Sequence, residues 1–265
     1  MRIAVIIPYR NAAEWLPRCL ESLGTDFDVI TINDHSTDGS EKIAALNPNY
    51  HDATRSVPLS INDNFTGVSY ARNRGIDWAL RWSENKPDYI TFLDADDELT
   101  PDAYDVMTEA IEIFPNSDII QFNHYREIGG RNYCKFYNSR GDKDLGHLPG
   151  FWVGVWNKLY KADLLKTIRF DVDLCHGEDE LFNLECLAHA RKISCFEKCT
   201  VIHHFDNPES LSKTTSFDDL IHEQRALINF LDSREHDPEL CKAVRMRMTE
   251  LWDNPIYKKT FGGET

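Results

Sequence analysis

Short apolar runs alternate with amphipathic stretches through the first half of the chain. Ile3 to Ile7, Val29 to Ile32, Leu59 to Ile61 and Tyr89 to Leu93 read as strands. Between them, Glu14 to Leu23 places Trp15, Cys19, Leu20 and Leu23 on one helical face, and Asp38 to Leu46 and Ser69 to Trp82 also suit helices. Pro17 is awkward inside the first of these, because proline lacks the N–H a helix interior needs, so a start near Leu16 is expected. Alternation of this kind predicts βα units around a mainly parallel sheet, an α/β fold. Thr100-Pro101 then forms a good N-cap and first-position pair for a helix to about Phe114, and Asp118 to Phe122 returns as a strand. The segment HYREIGGRNYCKFY reads as a hairpin turning at Gly129-Gly130, a departure from strict βα order. From Phe217 the pattern predicts two amphipathic helices, to about Asp232 and from Pro238 to Trp252, followed by a frayed Gly-containing tail.

Composition narrows the classes. With 44 acidic against 29 basic residues the formal net charge is -15, which disfavours a mainly electrostatic grip on nucleic acid or on an anionic membrane. The 7 cysteines are scattered, and Cys195 and Cys199 lack the two-residue spacing of a zinc or redox motif. They read as reduced thiols in a cytoplasmic protein. The apolar run before Pro8 is too short for a secretion signal or a membrane span, so a soluble protein with no transmembrane segment is expected.

Candidate chemistry gathers where the strands end, the place where open α/β sheets bind ligands. Ile7 leads into PYRN, Ile32 into NDHSTDGS, Ile61 into NDNFTGVSYARN and Leu93 into DADD. Each cluster alone is ordinary turn chemistry, and Asp34 in particular suits the start of an Asx-turn. In FLDADDEL, Asp94, Asp96, Asp97 and Glu98 crowd charges that repel unless solvent, a cation or a ligand answers them. If the chain is extended there, Asp94 and Asp96 project to one side while Asp97 points away, and Asp97 and Glu98 lead toward the next helix. Paired hard oxygens suit Mg2+ or Mn2+ with positions left for phosphates and water. His204, after the apolar run Thr200 to Ile202, is a further candidate metal contact, and Trp152 or Trp156 offers a ring on which a sugar could stack. In HGEDELFN, Glu178 and Asp179 open a helix, where acids are favoured by the free N–H groups.

Six ordered blocks, AVIIPYRN, VITINDHSTDGS, NFTGVSYARNRGI, ITFLDADDEL, VWNKLYKADLL and GEDELFN, resemble those of glycosyltransferase family 2 with the GT-A fold. The resemblance covers roughly residues 3 to 205. It implies a Rossmann-like sheet flanked by helices, with a nucleotide-sugar-binding half over 1–125, an acceptor-side hairpin and catalytic-base half over 126–215, and a C-terminal helical extension over 216–265. It also implies that Pro8, Tyr9, Arg10 and Asn11 line the nucleotide pocket, that Asp34 meets the base or ribose, and that Arg72 and Asn73 lie against the nucleotide and its phosphates. Asp94, with Ala95 beside it, would face the ribose, and Asp96 the metal that bridges the diphosphate. Asp179 would be the general base, with Glu178 the next candidate. Arg10 stands where the family more often has an aromatic. The implied reaction is inverting transfer from a nucleoside-diphosphate sugar, UDP-linked by expectation, to a saccharide or other hydroxyl acceptor. A transferase acting on hydroxymethylated nucleic acid and a silent nucleotide-sugar-binding module are the alternatives. Net charge disfavours the first, and retention of both Asp96 and the Glu178-Asp179 pair the second.

Overall fold

A computed structural model describes residues 1–46, 56–60, 65–81, 86–135, 141–142, 154–204, 216–233 and 238–252. Trp152 and the tail after Trp252 lie outside the described residues. One sheet organises the molecule. Its strand β1 (Ile3–Tyr9) pairs in parallel with β2 (Asp28–Asn33) on one side and with β4 (Tyr89–Phe92) on the other, and β3 (Ser56–Ser60) continues the parallel set beyond β2. Past β4 the pairing becomes mixed. β9 (Lys158–Lys161) runs antiparallel to both β4 and β6 (Ile119–Ile128), and β6 then pairs in parallel with β10 (Ile193–His204). Two short strands, β5 (Glu98–Leu99) and β8 (Gly141–Asp142), add antiparallel to β10. The hairpin forms as expected: β7 (Arg131–Lys135) returns along β6 after Gly129 and Gly130, whose φ of 60° and 78° suit glycine in a tight turn.

Helices cover both faces, and β1 shows why. Ile3, Val5 and Ile7 belong to one apolar cluster with Leu16, Cys19 and Leu20 of α1 (Leu16–Glu21) and Val106 and Met107 of α4 (Ala103–Ile113). Ala4 and Ile6 belong to the other, with Ala71, Ile76 and Ala79 of α3 (Val68–Arg81). Each fully buried Ile contributes roughly 1.5–3 kcal/mol. α3 comes close to the sheet because Gly75 has no side chain: a Cβ there would lie 2.5 Å from Ile6 Cγ2. Between β2 and β3 lies α2 (Ser40–Ala45). α1 does begin at Leu16, with Pro17 in its first turn, where the missing N–H costs nothing.

The expected Thr100-Pro101 cap is not formed. α4 starts at Ala103 with Asp102 in the cap position, and the Thr100 N–H donates to Thr200 O at 2.9 Å. Pairing of β5 with β10 draws Thr100 into the sheet, a long-range competitor that local cap preference cannot register. Downstream, α5 (Glu178–His189), α6 (Phe217–Asp232) and α7 (Pro238–Trp252) pack on the α3 face. Leu220, Leu227, Phe230, Leu240 and Val244 of the last two helices share a core with Phe182, Leu184 and Leu187 of α5. The C-terminal helices are therefore built into the same apolar cluster as the sheet. The seven cysteines are free thiols, and among the described residues no helix is long and apolar enough to cross a membrane.

Candidate functional site

The loops at the carboxyl ends of β1, β2 and β4 converge with the first turns of α3 and α5. Pro8 is tolerated in β1 because β4 pairs with β1 only as far as Ile6, so no ladder partner is missing its N–H. Pro8 lies opposite Ile32 and the buried Tyr9 opposite Asn33. Beyond them Asn11, at φ 49°, accepts the Thr37 N–H on its side chain and donates its own N–H to Ser36 Oγ at 3.0 Å. Asn33, not Asp34, makes the local side-chain turn bond, accepting the N–H of Ser36, three residues on, at 2.9 Å.

Asp34 is freed for another task. It is buried and accepts from the Thr66 hydroxyl at 2.8 Å, the Gly67 N–H at 2.9 Å and, on geometry, His35 Nδ1 at 3.0 Å. Arg10 donates to Thr66 Oγ1 at 2.8 Å and lies 3.8 Å from the Asp34 carboxylate. Burial would raise the Asp34 pKa, but these hydrogen bonds and the Arg10 charge outweigh it and hold the group below its ordinary value. Asp34 thus fixes the Thr66–Gly67 segment and Arg10 as one wall of the crevice.

Arg72 is the centre of the site. Buried in α3, it donates to Asp94 Oδ1 at 2.9 Å, to Asp179 Oδ1 at 2.6 Å and to Glu178 Oε1 at 3.2 Å, and its guanidinium lies 5.2 Å from the Phe170 ring centre. One cation thus ties the end of β4 to the start of α5. Its pKa is raised: burial opposes the charge, but Asp179, Asp94 and Glu178 overcome it. Asn73 brackets Phe170, donating to its carbonyl at 2.9 Å and accepting its N–H at 2.8 Å, and so sets the ring under Arg72. Both α3 residues thus have protein partners here: Arg72 the carboxylates and Asn73 the Phe170 backbone.

Three carboxylates around one guanidinium leave negative charge in excess. Asp179 answers part of it by holding a proton more tightly, its pKa pushed up to about 7 chiefly by burial, with Glu178 and Asp94 adding to the shift and Arg72 and Lys158 opposing it. Its side chain still exposes 21% of its surface, enough for a reacting group to reach it. Asp94 is 29% exposed. Asp96 is half-buried, its carbonyl held by Arg18 Nη2 at 2.7 Å, with buried Ala95 between the two acids. No group of three or more His, Cys, Asp or Glu side chains among the described residues is arranged as a metal cage. Paired carboxylates beside a diphosphate are how Mg2+ and Mn2+ are usually held, and the donor chemistry of Asp94, whose Oδ1 accepts from Arg72, and of Asp96 fits such an ion.

The rest of the acidic cluster differs from expectation. Asp97 is fully buried and does not lead toward the next helix: it accepts the His204 N–H at 2.9 Å and pairs with His203 Nδ1 at 2.8 Å. Glu98 takes Arg18 at 3.3 Å and His204 Nε2 at 2.7 Å. The ring of His204 is engaged there, with Glu127 3.7 Å from its other nitrogen. Trp156 is buried and stacks on His203, ring centres 4.9 Å apart at 11°.

One residue of the site carried no assigned role in the sequence. Lys158, the fourth residue of VWNK, is completely buried, donates to Gly154 O at 2.7 Å and Asn157 Oδ1 at 2.9 Å, and is pushed down to about 7 by burial against the pull of Asp179. A lysine inside an apolar run was the available signal.

The model of the Glycosyl transferase family 2 domain matches residues 4–184. The uncharacterized glycosyltransferase YibD of Escherichia coli K12 is 37% identical over 78% of this chain and 62% of its own length. The poly(ribitol-phosphate) beta-N-acetylglucosaminyltransferase TarP of Staphylococcus aureus N315 is 28% identical over 81% of this chain and 67% of its own. Glycosyltransferase GlyA of Streptococcus pneumoniae serotype 4 is 27% identical over 74% of this chain but only 30% of its own, so the chain spans a minor part of some curated relatives. Among solved structures, S. aureus TarS with UDP-GlcNAc superposes with a TM-score of 0.76 at 20% identity, over 98% of this chain and 73% of that one. A Pyrobaculum calidifontis mannosyltransferase with GDP-Man and Mn2+ gives 0.66 at 12% identity, over 99% and 76%. These likenesses in structure bear out the GT-A fold.

Proposed function

Because this chain belongs to glycosyl transferase family 2, we propose that it transfers a sugar from a nucleoside-diphosphate sugar, UDP-linked, to a hydroxyl of a saccharide acceptor with inversion. The observation that carries the reading is the junction at Arg72, which joins Asp94 to Asp179 and Glu178 through contacts of 2.6–3.2 Å. A structural neighbour holding UDP-GlcNAc supports a UDP-sugar donor, and a relative named for transfer onto poly(ribitol-phosphate), a polyol polymer, supports a hydroxyl acceptor.

The residues divide the work by charge. Pro8 to Asn11, with Arg10 anchored on Thr66 and Asp34, form the side of the crevice that would take the base and ribose. The planar guanidinium of Arg10 offers a flat face where the family more often has an aromatic ring. Asp96 with Asp94 would hold Mn2+ or Mg2+, which when bound neutralises charge developing on the departing diphosphate. His204, engaged by Glu98, is left out of that ligand set. Asp179 accepts the proton of the attacking hydroxyl at its carboxylate. With its pKa at about 7 it is a far better proton acceptor near neutral pH than an ordinary Asp. Arg72 holds the ionised form in place and keeps it apart from Asp94. The acceptor oxygen bonds to the anomeric carbon as the bond to the diphosphate breaks, through a transition state of oxocarbenium character, and a single displacement inverts the centre.

The test is Asp179→Asn, assayed with a panel of nucleotide sugars against glycans and hydroxymethylated DNA. We expect UDP binding by calorimetry within twofold of the parent and transfer reduced about 10²–10⁴-fold. Near-normal turnover removes Asp179 as the base, and product only on DNA replaces the saccharide acceptor.

A further inference from the structure

The matched family segment ends at residue 184, yet α6 and α7 reach back to the first turn of α5, where the catalytic acids stand. Three contacts make the join. Glu223 of α6, 1% exposed, packs its side chain against Gly177, the residue before Glu178: a Cβ on Gly177 would lie 2.5 Å from Glu223 Cγ. Gly177 sits at φ 78°, so both its conformation and its neighbour call for glycine. The Glu223 carboxylate also takes His176 Nδ1 at 3.0 Å. From α7, Arg247 Nε lies 3.0 Å from both carboxylate oxygens of the buried Glu180, and its Nη2 is 3.6 Å from Glu223. Residues 176, 177 and 180 are thus gripped from the C-terminal helices, on either side of Glu178 and Asp179. The two helices are joined to each other by Gln224 Nε2 donating to Met248 O at 2.9 Å.

A surface helix pair with no bearing on the site would present a polar face here or pack on apolar residues alone. Instead two buried acids, Glu180 and Glu223, stand together with Arg247 of α7 beside both. Burial first, and Glu223 second to the opposing pull of Arg247, push Glu180 up to about 8, and Glu223 raises His176. Such a cluster is costly to assemble, and removing Arg247 takes away the donor to Glu180 and leaves two buried carboxyl groups facing each other at the base of α5. We propose that Arg247 and Glu223 are positioning residues for the reaction: the C-terminal helices hold the first turn of α5 so that Asp179 meets the acceptor hydroxyl.

The inference rests on Asp179 and Glu178 being the catalytic acids. It is tested with Arg247→Ala, Arg247→Gln and Arg247→Lys in the full chain, reading hydrogen exchange over residues 176–184 and UDP release from UDP-GlcNAc. Turnover is referred to the number of UDP-binding sites found by calorimetry, which removes any unfolded fraction. We expect faster exchange at 178–182 in Arg247→Ala, and kcat per site lower by about ten- to a hundredfold, the scale of an ångström's misplacement, with KM for the donor within twofold. Arg247→Lys should recover most of the loss, and Arg247→Gln serves where the alanine variant does not fold. Unchanged exchange, unchanged kcat per site, or a loss shared equally by donor affinity overturns the proposal. A parent protein with no UDP binding or release counts against the proposed reaction, and the exchange result then decides whether the helices hold α5.

Discussion

Replacing Arg72 with Met removes the one guanidinium that lies between Asp94, Glu178 and Asp179 while keeping most of the side-chain volume over Phe170. In the parent, Asp179 rises from 3.8 to about 7 on folding even with Arg72 beside it. An acid whose folded pKa is raised contributes stability at low pH that is lost as pH rises from about 4 through 7. At about 1.4 kcal/mol per unit, a shift of about 3 units makes that loss roughly 4 kcal/mol, an upper figure because the carboxylate is partly open to water. Without Arg72 the largest opposing influence is gone, so the folded pKa moves further up and the pH window of lost stability extends above 7. Breaking a buried ion pair costs about 3–5 kcal/mol, and this network is partly exposed, so we expect about 2–4 kcal/mol of destabilisation at pH 8 and less at pH 5. The assay is urea unfolding at pH 5, 6.5 and 8, with the pH dependence of kcat alongside. The lower inflection in kcat, near 7 in the parent, should move upward by at least about one unit, since Glu178 and Asp94 then face Lys158 without the larger opposing charge of Arg72. Arg72→Lys, which keeps the charge without the fork, should fall between. An inflection that stays in place or moves down, or a stability loss that is larger at pH 5 than at pH 8, refutes the electrostatic account of Asp179.

Asp96→Ala should abolish the Mn2+-dependent part of UDP binding in calorimetry; undiminished metal-linked affinity would remove Asp96 from the ligand set. Gly75→Ala places a methyl 2.5 Å from Ile6 Cγ2 and 2.9 Å from Ile32 Cδ1, so urea unfolding should show a loss of about 1–3 kcal/mol, and a neutral result would contradict the close approach of α3 to the sheet. Lys158 is lowered from 10.5 to about 7, so burying its ammonium costs stability: the cost is absent above the unfolded pKa, grows as pH falls below 10.5 and is complete below about 7. Lys158→Met should therefore flatten the rise in stability between pH 7 and 10, measured by urea unfolding, and an unchanged slope would contradict the burial of its charge.

The residues that repeat with the period of their element were legible without any structure. β1, α3 and α5 rest on apolar spacing, the late start of α1 on the missing N–H of Pro17, and the β6–β7 turn on Gly129-Gly130, all matters decided within a few residues. The clustering of Asp94, Asp96, Asp34 and Glu178-Asp179 at element ends was equally visible, because strand ends and helix starts are where polar side chains can face a ligand. Tertiary structure decided what those groups touch. Thr100 lost its cap to a pairing between β5 and β10, and Asp97 was taken by two histidines more than a hundred residues away. Arg72 gathered its three acids from two distant elements, and a C-terminal extension that looked like an appendage came to grip the helix bearing the proposed base. Local pattern reports backbone preference and which face is buried. The partner of a buried charge is set by which distant segments the closed sheet brings within about 3 Å, and hydrogen bonds act only at that range.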